Sequence, residues 1–157
     1  MASWDWLEVR WPTGRGWSER SPAGTPELDI LDRAASMDLL GQGGIGRVVF
    51  DDTSGPVALP VNFETFGHDL VFQTGEGSMA AALRRGGPLS LEADHFDTTL
   101  AEGWSVLVRG HATVMTDPEE LRLVRALQIK DWAGQPRPIT GRVAAEAVSG
   151  RRIRRHL

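Results

Sequence analysis

Ile45-Gly46-Arg47-Val48-Val49-Phe50, the turn chemistry Asp51-Asp52-Thr53-Ser54-Gly55, and then Val57-Ala58-Leu59-Pro60-Val61-Asn62-Phe63 decide the fold. Two runs rich in β-branched and aromatic residues flank a cluster of Asp, Ser and Gly, which is the signature of paired strands joined by a turn. Pro60 has no N–H to give a ladder. It marks an edge, a bulge, or a place where a ligand stands in for a neighbouring strand.

Working outward, the same pattern repeats. Gly67–Asp69 forms a turn and Leu70–Thr74 a third strand, Leu89–Asp94 alternates apolar and polar residues, and Trp104–Met115 reads as a long strand with Gly110 as its bend. A loop covers Phe96–Glu102, and Ile139–Val143 and Val148–Ile153 complete the strand candidates. Helices are short. Asp32 caps one that runs to Leu40 and stops at Gly41, and Ser78 caps Met79–Arg85. Asp117-Pro118-Glu119-Glu120 opens a third helix, reaching about Leu127, with cap, proline and glutamate in sequence. Six or seven short strands with helices at the crossings predict a mainly β fold, an antiparallel barrel with peripheral helices.

A chain of 157 residues with 41% hydrophobic content fits one packed domain. The absence of cysteine excludes a disulfide framework, thiolate metal sites and a cysteine nucleophile, and fits a cytoplasmic address. All but one of the 17 basic residues are arginine, and all 21 acidic residues precede position 151. The body up to Gly150 is therefore strongly acidic, which disfavours nucleic acid as a partner. No apolar run approaches the length of a signal peptide core or a membrane span, so no membrane association is expected. Residues 1–26 stand apart as a leader, with Trp4, Trp6, Trp11 and Trp17 among prolines and glycines. Exposed indoles would make an apolar patch, so this leader is expected to pack on the body, residues 27–157, or on a partner.

Gly41-Gln42-Gly43-Gly44-Ile45-Gly46 matches G-x-G-x-x-G by letter. The dinucleotide fingerprint needs strand, glycine turn and helix in that order, and here the helix comes first, so the Rossmann reading fails. Thr74-Gly75-Glu76-Gly77-Ser78-Met79 is the better anion signal, since it follows a strand and opens a helix. His68, His95, His111 and His156 have no metal-ligand spacing, and Glu92, Asp94, His95 and Asp97 read as solvated; no metal is expected. No serine stands in a nucleophile-elbow context.

Leu31-Asp32-Arg33, Gly46-Arg47-Val48-Val49-Phe50, Leu59-Pro60-Val61-Asn62-Phe63, Val71-Phe72-Gln73-Thr74, Gly77-Ser78, Gly103-Trp104-Ser105-Val106 and Gly150-Arg151-Arg152-Ile153 follow one another in order. Together they resemble the actinobacterial branch of the pyridoxamine 5′-phosphate oxidase-like, FMN-binding split-barrel proteins, over about Asp32 to Ile153. The resemblance implies a Greek-key split barrel, a homodimer, and FMN in the groove between subunits. It implies an FMN-dependent oxidoreductase acting on a small organic substrate. Leu59, Pro60, Val61 and Asn62 would hold the flavin edge, with Gln73, Thr74, Ser78 and Met79 at its phosphate. Trp104 and Ser105 would lie beside it, and Trp132 would approach from the other subunit. No catalytic acid or base is identified.

Where relatives place a lysine after Gly-Ser, this chain has Met79. Losing that charge-assisted bond removes about 1.5–3 kcal/mol, roughly one to two decades of affinity. Arg47, Arg84 and Arg85 are candidate compensating cations. The alternative is a split barrel without FMN, serving as a binding or scaffold protein, or taking a deazaflavin, haem or pathway intermediate. The cation-rich substrate signature of a true pyridoxamine phosphate oxidase is missing.

Overall fold

The computed structural model describes residues 26–130, 134 and 138–155. Among the described residues there are eight strands, β1 (Pro26–Leu31), β2 (Gly44–Asp52), β3 (Gly55–Phe66), β4 (Asp69–Thr74), β5 (Gly87–Asp97), β6 (Glu102–Val114), β7 (Ile139–Val143) and β8 (Ala147–Arg155). Three helices, α1 (Arg33–Leu40), α2 (Ser78–Arg85) and α3 (Pro118–Ala126), interrupt them. All pairings are antiparallel, in the order β1-β8-β6-β5-β2-β3-β4-β7, and β7 returns to pair with β6. Six strands, β6-β5-β2-β3-β4-β7, thus close a barrel, and β8 and β1 extend it from β6.

The mainly β split barrel agrees with the sequence reading, its six closing strands within the six or seven expected, and among the described residues one further strand was not read. The additional strand is β1. Its outward residues Leu28 and Ile30 are exposed, so Glu27-Leu28-Asp29-Ile30 shows no buried face from which a strand is read. Elsewhere alternation sets the register. Val48 and Phe50 of β2, Val61 and Phe63 of β3, Leu89 and Leu91 of β5, and Val106 and Val108 of β6 point inward and fill the core. Their sequence neighbours point out.

Asp32 caps α1 by accepting from the Ala35 N–H at 2.8 Å, and Asp117 caps α3 by accepting from Glu120 N–H at 2.9 Å, both as read. The start of α2 differs. Gly77, not Ser78, stands at the N-cap with φ 154° and ψ −162°, and no side chain caps the helix. A backbone of that shape is open to glycine and strained for serine, so the chain turns one residue early. β5 also runs to Asp97, through the first part of the expected loop.

Candidate functional site

β3 is the element that organises the site. Residues 55–63 pair with β2 on one side, while β4 joins the other side only over Phe63–Phe66. The ladder between β3 and β4 ends at the pair Phe63↔Phe72. Continued by one step it would set Asn62 opposite Gln73, but there the strands part and β4 stays with β7 through Gln73↔Thr140 and Thr74↔Ile139. The free backbone edge of Leu59–Asn62 and the segment from Gln73 to Ser78 are therefore the two lips of one split. Pro60 belongs to that free edge, as its missing N–H suggested.

Side chains divide by face. Val61 is buried and Leu59 packs on the core, so these two offer only backbone to the split. Pro60 is exposed and Asn62 half-buried, both on the outward face. Gln73 and Thr74 are half-buried, and the Thr74 hydroxyl donates to the Gly75 carbonyl at 3.3 Å. Ser78 is exposed at the first position of α2. Met79 is only 5% exposed and belongs to the core with Leu83, one helical turn on.

Trp104 and Ser105 lie on β6, separated from the split by β5 and β2. Ser105 faces outward opposite Asp94, while Trp104 packs on the core with its ring 6.5 Å from that of His95. One chain alone does not bring them to the split. Trp132 lies outside the described residues.

Each candidate cation already holds a protein group. Arg47 projects outward from β2 beside Pro60, its pairing partner, and donates to Glu92 Oε2 at 3.0 Å and Asp94 Oδ2 at 3.5 Å. The hydrogen bond to Glu92 and the charge of Asp94 raise its pKa further. Arg84 folds back along α2 and binds both carboxylate oxygens of Glu76, at 2.7 and 2.6 Å. That bond holds Glu76 below the usual carboxylate range. Although two turns into the helix, the Arg84 guanidinium therefore stands at the Gly75–Gly77 loop. Arg85 instead donates to the Asp51 carbonyl at 3.1 Å, beside a cavity of about 230 Å³ at the other end of β2.

Glu64 is a residue the sequence reading did not single out. Its carboxylate lies over Gly43, within 2.4–2.5 Å of where a Cβ would stand, and burial raises its pKa. Among the described residues no hydrogen bond or ion pair compensates it. Nothing in the local sequence marks it, because the contact depends on the β2–β3 register and on Gly43 at φ 63°.

A family model described as pyridoxamine 5′-phosphate oxidase matches residues 32–152. The chain belongs to the pyridoxamine 5′-phosphate oxidase family. An uncharacterized protein of Mycobacterium tuberculosis is 32% identical over 138 residues, 85% of this chain and 90% of that protein. A FAD-binding protein of Mycobacterium smegmatis is 30% identical with a TM-score of 0.65, over 80% of this chain and 97% of that one. A FAD-binding protein of Mesorhizobium loti shares the fold, with a TM-score of 0.71 at 19% identity, over 82% of this chain and 98% of the other. The family's solved members thus include flavin-binding proteins. No helix among the described residues is long and apolar enough to cross a membrane.

The residues of the split fit a flavin phosphate in a form changed from the lysine pattern. The first-turn N–H groups of α2 have no side-chain cap, which leaves donors for an anion at the positive end of the helix. Met79 gives nothing, since its side chain is in the core. Arg84 supplies the nearby charge. Its bond to Glu76 is exposed and screened by water, so an anion of higher charge can compete for it.

Proposed function

We propose that this family member is an FMN-dependent oxidoreductase that acts on a small organic substrate at the groove of a homodimer in the cytoplasm. One observation carries the reading: β3 is left unpaired beyond Phe63↔Phe72, where β4 parts from it and leads into a helix with no side-chain cap. A strand edge offers alternating N–H and C=O groups, which suits the donor and acceptor rim of a planar heterocycle. The free amides of α2 and Arg84 suit its phosphate. The similarity to a FAD-binding protein at 30% identity supports a flavin as that heterocycle.

A bound flavin would supply two-electron transfer, while the chain binds, orients and shields. Leu59–Asn62 fixes the ring by backbone, where no side-chain rotamer disturbs it. Asn62 adds an amide that both donates and accepts on the outward face. Ser105, which the resemblance sets beside the flavin, faces outward on β6 away from the split of its own chain, so a homodimer would have to supply it from the second copy, while Trp104 packs inward on the core.

The first test is the visible spectrum of the purified protein and its titration with FMN and FAD. A flavin band, or saturable binding of FMN, is expected. A colourless protein that binds neither flavin refutes the reading.

A second reading has its own observation, since Met79 is buried while Arg47 and Arg84 are each matched by carboxylates. On it, the split has lost FMN and serves as a binding protein or holds a deazaflavin, haem or another small molecule. Met79→Lys separates the two. A gain of tight FMN binding where the parent has none supports the second reading, and equal binding by parent and variant removes it.

A further inference from the structure

We infer that the cavity between the end of α2 and the end of β2 is a second binding site, for a small apolar carboxylate whose charged end meets Arg85. The cavity measures about 230 Å³. It is independent of the flavin reading, because it lies at the far end of the elements that frame the split. Arg85 closes the helix that Ser78 opens, about 10 Å along its axis. Asp51, on the cavity's other wall, pairs with Pro56, about 20 Å along β3 from Asn62.

Small residues leave the space. Ala82 on α2 and Ala112 on β6 present methyl groups to it, and Gly86 and Gly87 present no side chain. The two glycines turn the chain from α2 straight into β5 with φ 64° and 133°, which other residues rarely adopt. A Cβ at either would meet nothing within 4 Å, so the ground beside them is open. Phe50, Leu89 and Ala112 give the wall its apolar character, each 5% exposed or less. Protein interiors pack closely enough that an apolar hollow of this size stands out. An apolar cavity of about 150 Å³ takes up benzene, so this one has room for a single ring, or a chain of about six carbons, with its carboxylate.

Arg85 gives the rim its chemistry. Its Nη2 donates to the Asp51 carbonyl at 3.1 Å, which holds the guanidinium beside the cavity and leaves its other N–H groups to a ligand. Among the described residues no carboxylate forms an ion pair with it, in contrast to Arg47 and Arg84. Asp52 is near enough to feel its charge, but Asp52 Oδ1 is taken by the Ser54 hydroxyl and N–H, each at 2.6 Å. Asp51 alternates with the inward Phe50, so its own carboxylate turns to the opposite face of β2. A guanidinium with free donors beside an apolar hollow suits a carboxylate, bidentate and charge-assisted, with the apolar remainder inside. A phosphate ester is the weaker occupant. Arg85 is the one cation among the lining residues, and the C-terminal end of a helix repels added negative charge.

The test titrates the full chain, labelled with nitrogen-15, with benzoate and hexanoate, and with benzyl alcohol as the uncharged control. Both acids should give saturable shifts of the Gly86, Gly87 and Ala112 amide resonances, and benzyl alcohol should bind about tenfold more weakly. Arg85→Gln changes an exposed side chain, and should weaken benzoate about tenfold while leaving benzyl alcohol within about twofold. Ala82→Leu fills the cavity from the helix and should weaken all three. Should Ala82→Leu lose the barrel by circular dichroism, Arg85→Gln decides alone. Added FMN, whether or not it binds, should leave the benzoate titration unchanged, which separates this site from the split. Titrations that do not saturate overturn the inference, as do shifts that gather at Asn62, Gln73 and Ser78 instead. Equal benzoate binding by Arg85→Gln and the parent overturns it, and so does competition between benzoate and FMN.

Discussion

Gly110→Ala tests how the barrel closes. Gly110 lies on β6 where the chain leaving β7 crosses it, and a Cβ there would stand 1.8 Å from the Ala144 carbonyl oxygen. Ordinary contact begins above 3.4 Å, so the carbonyl must retreat by about 1.6 Å. It is not free to do so. Ala144 N–H donates to the His111 carbonyl at 3.0 Å, and the Ala144 carbonyl accepts from Glu146 N–H at 2.9 Å. Arg33 donates to the Ala145 carbonyl at 2.5 Å, and Asp69 accepts from Ala145 N–H at 3.3 Å.

Two backbone hydrogen bonds at about 1 kcal/mol each, added to an overpacking cost of about 1–3 kcal/mol, give a loss near 3–5 kcal/mol. For a chain of this size that lowers Tm by roughly 6–20 °C. Thermal unfolding followed by circular dichroism measures it. Gly67→Ala is the control, because its φ is 64° but a Cβ there meets nothing within 4 Å. It should cost only about 1–2 kcal/mol, the penalty of the left-handed conformation. A Gly110→Ala shift below that of Gly67→Ala would refute the argument that β7 closes the barrel through this contact.

The remaining predictions concern the site and its supports. Glu76→Gln frees Arg84 for an incoming phosphate and should tighten FMN binding roughly three- to tenfold by fluorescence titration, whereas Arg84→Ala should weaken it. Glu64→Gln should raise Tm at pH 7 and leave it unchanged at pH 4. The sign follows from burial raising the Glu64 pKa above 4.5. A carboxyl with a raised folded-state pKa costs no stability below its unfolded value and the full penalty above its folded one. Arg142→Ala should cost about 2 kcal/mol and raise hydrogen exchange in α3. It removes the 2.7 Å bond to Glu120 and the guanidinium 5.3 Å from the centre of the Phe66 ring, both of which tie β7 to its neighbours.

Most of the barrel was legible because burial acts on every second residue of a strand. Val48 and Phe50, or Val106 and Val108, announce their face by alternation alone. β1 was not legible for the same reason, since its outward Leu28 and Ile30 are uncovered and its other face is acidic. The site was legible in part. Pro60 marked the free edge, but the split itself depends on where the β3–β4 ladder stops, and no residue type encodes the end of pairing between Asn62 and Gln73.

Met79 shows the remaining gap most clearly. Read as a position in a phosphate loop, it is a missing lysine. Read at helical spacing, Met79 and Leu83 are one turn apart, and α2 buries that face. The two readings are connected. A lysine here would have to carry its charge out of the core, which a long stem can do at a helix start. Methionine stays inside, and the charge near the loop comes instead from Arg84, eight residues from the carboxylate that holds it. Spacing alone cannot reveal that exchange, because it rests on one arginine folding back along its own helix. Glu76→Gln therefore bears on more than affinity. Tighter FMN binding would show that the phosphate site moved from the position of Met79 to Arg84, with Glu76 as the group an incoming phosphate displaces. Unchanged binding would leave the uncapped amides of α2 as the whole of the anion site.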